Sequence, residues 1–284
     1  IMNEVGYDLA IPGNHEFDYG MENFLSLAKE KAEYEYLCAN FTDLEGNPVL
    51  EGYKVLTYGD VKVGYVGIDT PESFTKSTPT YFQDAEGNYI YSFCQGNEGA
   101  DLYDAVQKAV DAARAEGADY VVAVGHLGNE GISAQWSSQA VIAHTTGIDV
   151  FIDGHSHSTL EDVWAVTETN GFVGDTLLTS TGTKLANIGM VVLDETGTTA
   201  QSIPAESVSL TDEAVAARAA EIQAQVDEEY GAVFAGTEAL LNGEREPGNR
   251  TEETNLGDLI TDALVWGAER EGEAVDAAVT NGGG

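Results

Sequence analysis

Apolar positions along this chain switch between two spacings, and the switches outline its elements. Residues 61–68 (VKVGYVGI) alternate and then become continuously apolar, which predicts a strand that starts half-buried and ends in a core. Residues 120–124 (YVVAV) read as a buried strand, 150–152 as a shorter one, and 36–39, 176–180 and 188–192 as further short strands. Met21, Phe24, Leu25 and Ala28 lie at i, i+3, i+4 and i+7, one apolar face of a helix. Leu102, Val106, Ala109, Val110 and Ala113 form a second such stripe, closed by Gly117, and residues 133–146 also read as helical. Residues 70–98, rich in Thr, Pro, Gly, Asn and aromatics without a period, are predicted to be a long surface loop. The alternation of strand and helix is the α/β pattern, in which functional groups gather at the carboxyl ends of strands.

After residue 204 the pattern changes. Val215, Ala219, Ile222 and Val226 mark one amphipathic helix over 211–230, residues 243–250 interrupt it, and a helix over 256–269 and a strand over 275–280 follow. The organisation predicted is a first domain over 1–204, a linking helix over 205–232, and a second domain opening at 233–284. No internal repeat is present.

The chemistry is concentrated at the strand ends. Of five histidines, four fall in three short motifs: Gly13-Asn14-His15-Glu16 with Asp18, Gly125-His126, and Gly154-His155-Ser156-His157. Imidazole with Asn or Asp oxygens suits Zn, Mn or Fe better than Ca or Mg. Asn14 is a neutral oxygen donor, and His15, oriented by Asp18, can stabilise charge on a substrate oxygen or protonate a leaving group. His155 and His157, two apart on an extended segment, would point to one side. His144, in a helical pattern without a partner motif, is read as structural. An H-E-x-x-H zinc helix is excluded because position 19 is Tyr19. Nucleophile-elbow and P-loop signatures are absent.

Charge and cysteine content narrow the partners. The formal net charge of -37 repels nucleic acid and anionic membranes, and suits the solubility of a secreted protein. No apolar stretch is long enough to span a bilayer. The two cysteines, Cys38 and Cys94, match no zinc spacing, so a thiolate metal site is excluded, although the two could pair with each other.

The three motifs together resemble the metallophosphatase (calcineurin-like) superfamily and, within it, the 5′-nucleotidase family. Asn14-His15-Glu16-Phe17-Asp18, Gly125-His126 and Gly154-His155-Ser156-His157 are similar to its third, fourth and fifth motif blocks, in order. Arg250, the run from Thr254 to Ala263, and Asn281-Gly282-Gly283-Gly284 resemble the start of its substrate-binding domain. The resemblance implies a layered αββα sandwich followed by an α/β domain, and two divalent metal ions as cofactors. It implies that Asn14, His126 and His155 ligate one metal and His157 the other. His15 and Asp18 would form the catalytic dyad, Arg250 would contact the substrate phosphate, and Asn281 would lie near the base. The family's first two blocks, including the aspartate that bridges both metals, do not occur before Asn14. The chain is therefore expected to be an internal fragment, inactive by itself, of a secreted, periplasmic or surface-attached enzyme that takes a nucleoside 5′-monophosphate to nucleoside and phosphate. A 2′,3′-cyclic nucleotide phosphodiesterase, a UDP-sugar hydrolase and a non-catalytic nucleotide-binding surface module are the alternatives. Oligomeric state is not encoded in any of these patterns.

Overall fold

The structure is a computed structural model that describes residues 1–129, 133–233 and 235–282. The chain divides into two compact units, Ile1–Ala219 and Ala220–Gly284. In the first, α1 (Met2–Val5) leads into β1 (Leu9–Ala10), α2 (Met21–Ser26), β2 (Glu35–Tyr36), β3 (Thr42–Asp43), β4 (Tyr53–Tyr58) and β5 (Val61–Asp69). Then come α3 (Ser73–Lys76), β6 (Tyr91–Ser92), α4 (Ala100–Ala115), β7 (Tyr120–His126), α5 (Ser138–His144) and β8 (Val150–Asp153). The unit continues with α6 (Leu160–Thr167), β9 (Phe172–Val173), β10 (Thr176–Ser180), β11 (Asn187–Asp194) and β12 (Gly197–Pro204).

A six-stranded sheet in the order β4-β5-β7-β8-β10-β9 forms the centre. β5, β7, β8 and β10 run parallel, and the edge strands β4 and β9 are antiparallel to their neighbours. The apolar runs at 61–68 and 120–124 are continuous because both faces of these strands are covered. On one face, Val66, Ile68, Val121, Ala123 and Phe151 pack against the α4 stripe that the periodicity predicted and against α5 and α6. On the other, Val63, Val122 and Val150 meet Val191 and Leu193 of β11, which pairs with β12 as a separate hairpin. Helices, sheet and hairpin are thus stacked as layers of an α/β sandwich. β1 pairs in parallel with β2 and brings the chain to Gly13.

Arg114, at the end of α4, ties the start of the strands together. Its guanidinium donates to the carbonyls of Ala118, Asp119 and Gly147 and to Asp149 at 2.7 Å. Arg114→Ala is expected to cost about 2 kcal/mol in urea denaturation, since three carbonyls lose a charged donor, and Arg114→Lys to recover less than half, because an ammonium cannot reproduce the fork. Full recovery by lysine would reduce Arg114 to a simple charge.

Several expectations need correction. Residues 70–98 are not a surface loop: Phe74, Phe82 and Phe93 in that stretch are buried in a second core with Phe17, Phe24 and Phe41. These aromatics have no period because their partners lie elsewhere in the chain. The helix predicted over 133–146 is broken: a 3₁₀ turn over Ala134–Trp136 precedes α5, whose N-cap Ser137 accepts from the Ala140 N–H. Cys38 and Cys94 are both free thiols. No strand forms over 275–280, where Val279 is 93% exposed, because no strand among the described residues of this unit pairs with it. The amphipathic helix α7 (Glu213–Tyr230) buries none of its residues, and the boundary between the units falls inside it. α8 (Asn255–Arg270) matches the predicted second helix and is capped by Thr254, whose hydroxyl accepts from the Gly257 N–H at 3.1 Å.

Candidate metal and phosphate site

Four chain segments deliver side chains to one edge of the first unit. Asn14 follows β1 in a 3₁₀ turn, Asn14–Phe17, whose entry is held by the Gly13 N–H donating to Glu16. His126 is the last residue of β7, directly opposite Asp69 of β5. His155 lies just beyond β8, and Glu72 just beyond β5. Sites gather here because the carboxyl ends of parallel strands open outward while their amino ends are closed by the returning connections.

Three of the predicted ligands converge. The Asn14 Oδ1 atom lies 3.0 Å from His126 Nε2 and 3.2 Å from His155 Nδ1. The His126 and His155 rings are 5.0 Å apart between centroids. Burial, with His155, His15 and His157 nearby, pushes the His126 imidazole down to about 3, so it is neutral at neutral pH with a lone pair available. Close approach of His126 depends on glycine: a Cβ on Gly13 would lie 2.7–2.8 Å from three atoms of the His126 ring, and one on Gly154 would lie 3.1 Å from its Nδ1.

The donor set fits a divalent transition metal. Two ligands each roughly 2.0–2.1 Å from a shared zinc-sized ion stand about 3 Å or slightly more apart, as these atoms do. One amide oxygen with two imidazoles is a mixed N/O set of the kind Zn, Mn and Fe accept. Among the described residues no cluster of three or more His, Cys, Asp or Glu is arranged to hold a metal, so the amide of Asn14 is what completes this set.

His157 is placed differently from the expectation. His155 and His157 have φ of 73 and 57, in the left-handed region, so the segment is not extended and the two-residue spacing does not align their rings. His155 turns inward, whereas His157 is exposed. The tight turn is built by Asp153, whose Oδ1 accepts from the Leu127, Gly128 and Gly154 N–H groups. Burial raises the Asp153 carboxyl to about 6.

The dyad is formed. His15 Nδ1 is 2.7 Å from Asp18 Oδ2, and the His15 side chain is 75% exposed, free to meet a ligand from solvent. Asp18 is held in turn by the Ser77 hydroxyl, which donates to Oδ1 at 2.9 Å. Phe17, between the two, is fully buried and roots the turn in the aromatic core. His144 stacks on Tyr103 at 4.4 Å and its Nδ1 pairs with the Ala140 carbonyl, a structural role as read from the sequence.

In the second unit, Arg250 and Asn281 line one cleft of 520 Å³, together with Arg245, Thr254, Asp258 and Gly282. Gly283 and Gly284, which complete that motif, lie outside the described residues.

Two contributors were missed from the sequence. Ser77 and Glu72 both belong to the stretch read as loop. Glu72 Oε2 is 3.1 Å from His155 Nε2, and Oε1 accepts from the Ser133 N–H. Burial pushes the Glu72 carboxyl up, but hydrogen bonds from His155 and Ser133 outweigh it and hold the group below the usual range. The available signal was position: β5 is a central parallel strand, and its carboxyl end should contribute to the site as β7 and β8 do.

The family profile for calcineurin-like phosphoesterases matches residues 2–159. Over its whole length the chain is 26% identical to the snake venom 5′-nucleotidase of Gloydius brevicauda and covers 49% of that protein. It is 29% identical over 166 residues to the 5′-nucleotidase of Bos taurus, 56% of this chain and 25% of that one. The chain therefore spans about half the length, or less, of these curated relatives. Among solved structures, the calcineurin-like phosphoesterase YfkN from Bacillus subtilis superimposes with a TM-score of 0.66 at 21% identity, covering 81% of this chain and 74% of that one. The 5′-nucleotidase precursor from Thermus thermophilus gives 0.64 at 22% identity, covering 95% and 53%. At such identities these are likenesses of fold.

Proposed function

This chain belongs to the calcineurin-like phosphoesterase family, and we propose that it is the part of a nucleotide phosphoester hydrolase that carries one metal pocket and the acid–base dyad. The observation that carries this reading is the convergence of Asn14, His126 and His155 at 3.0–3.2 Å within the unit that also holds the His15–Asp18 pair. Members of this family generally use two divalent metal ions. Asn14, His126 and His155 would hold one, and His157 would serve the other. Such ions supply Lewis-acid stabilisation to phosphoryl oxygens.

The remaining chemistry belongs to the side chains. Asp18, fixed by Ser77, holds the His15 Nδ1 proton and so leaves Nε2 directed outward. From there a doubly protonated His15 would stabilise charge on the transferring phosphoryl group and give its Nε2 proton to the leaving oxygen, keeping the Nδ1 proton hydrogen-bonded to Asp18. Neutral His126 keeps its lone pair for the metal. In the second unit, Arg250 offers a planar fork for a phosphate and Asn281 an amide for a base edge. The substrate read from this pairing is a nucleoside 5′-monophosphate, in keeping with the names of the relatives. The proposed organisation is a metallophosphatase domain over 1–204, a linking helix over 205–232 and a substrate-binding domain from 233. We assign the whole protein to the outside of the cell, the periplasm or the cell surface. Among the described residues no helix is long and apolar enough to cross a membrane.

The test is phosphate release by the full-length protein with Mn²⁺ or Zn²⁺ from AMP, a 2′,3′-cyclic nucleotide and UDP-glucose. AMP is expected to be the preferred substrate. His15→Ala should lower kcat on the order of 100-fold with bound metal unchanged. An unchanged kcat removes His15 from the chemistry, and tight nucleotide binding without phosphate release by the wild type rejects hydrolysis altogether.

A further inference from the structure

We propose that Glu72 is a positioning residue that selects the tautomer of His155 and thereby makes its Nδ1 a metal-binding atom, an inference that rests on the metal reading of the Asn14–His126–His155 pocket. His155 is addressed on both ring nitrogens: Nε2 lies 3.1 Å from Glu72 Oε2, and Nδ1 lies 3.2 Å from Asn14 Oδ1. An ionised carboxylate only accepts hydrogen bonds, so the nitrogen facing Glu72 must carry the proton. In a neutral imidazole the other nitrogen is then bare, and it is the one that faces the pocket.

Glu72 is itself held rigidly enough for this task. Its side chain is 8% exposed and that of His155 13%. Its second oxygen accepts from the Ser133 N–H at 3.1 Å, and its own N–H donates to Thr70 Oγ1. That turn is anchored by buried Asp69, which accepts from the Thr70 N–H and from the Ser73 hydroxyl. Asp69 sits beside His126 in the β5–β7 register. The lock on one ligand is therefore built from the strand next to another. His155 needs it, because its left-handed backbone takes the ring out of the strand's own periodicity. A carboxylate on the far nitrogen also makes a ligating histidine a better electron donor.

Glu72→Gln gives a sharp test because the amide fills the same volume. Ser133 offers a fixed N–H, so the single amide oxygen stays on it and the NH₂ turns toward His155 Nε2. That geometry requires a lone pair on Nε2 and drives the proton to Nδ1. Nitrogen-15 NMR on histidine-labelled, metal-free full-length protein reads the tautomer directly, and calorimetric titration with Zn²⁺ reads affinity. The expected result is an Nε2–H tautomer in the wild type, an Nδ1–H tautomer in Glu72→Gln, and a zinc affinity weaker by roughly 10- to 100-fold. An Nδ1–H tautomer already present in the wild type, or a Glu72→Gln variant with wild-type tautomer and affinity, overturns the proposal. A tautomer switch in a protein that binds no zinc in its wild-type form supports Glu72 as the selector and overturns the metal reading of the pocket instead.

Discussion

Replacing Phe17 with alanine is expected to cost about 4 kcal/mol of unfolding free energy, the middle of the range for a buried aromatic. Its ring meets Phe24 at 5.0 Å, Phe82 at 5.1 Å, and Phe41 and Phe93 at 5.7 Å between centroids, all edge-on. Such pairs add to the value of burial alone. The four partners come from four separate segments, so the cavity cannot close by moving one of them. Phe17 also ends the turn that begins at Asn14, and His15 and Asp18 flank it. The same change is therefore expected to loosen the dyad and lower metal affinity, whereas Phe17→Leu should retain most of the stability. Urea denaturation of the metal-free protein measures the first effect. A cost below about 1 kcal/mol would mean that the aromatic core repacks freely.

The second large effect is expected at Gly13. Its backbone, with φ -120 and ψ -174, is one that alanine adopts without strain, so any penalty comes from the added methyl alone. That methyl would sit 2.7–2.8 Å from Cγ, Cδ2 and Cε1 of His126, against the body of the ring rather than a flexible tip. Gly13→Ala should thus displace His126 from Asn14 and weaken zinc binding on the order of 100-fold, with a stability loss of only about 1–3 kcal/mol. A double-mutant cycle isolates the cause. In a His126→Ala background, Gly13→Ala should cost no further affinity. Additive losses would show that the methyl acts through something other than the His126 ring.

The central strands β5, β7 and β8, helix α4 and the three histidine motifs were legible in the sequence because each is encoded locally. A buried parallel strand is a continuous apolar run, and a helix packed on it shows a stripe such as Leu102–Val106–Ala109–Val110–Ala113. Motifs with glycine beside histidine mark strand exits. The resemblance those motifs carry led to the family that the profile over residues 2–159 matches.

Other features depend on partners far away in the chain, and no local pattern encodes them. Phe74, Phe82 and Phe93 look like loop aromatics until Phe17, Phe24 and Phe41 are brought to them. Glu72 looks like a loop acid until β5 and β8, with β7 between them in the sheet, place it against His155, 83 residues along the chain. The spacing of His155 and His157 suggested a shared direction, yet three backbone N–H groups gathered by Asp153 bend the exit into left-handed conformations. Residue type and local period specify which segments become strands and helices and which side chains can ligate. Which of those side chains meet, and which nitrogen of an imidazole they leave free, follows from packing between segments that the sequence holds far apart.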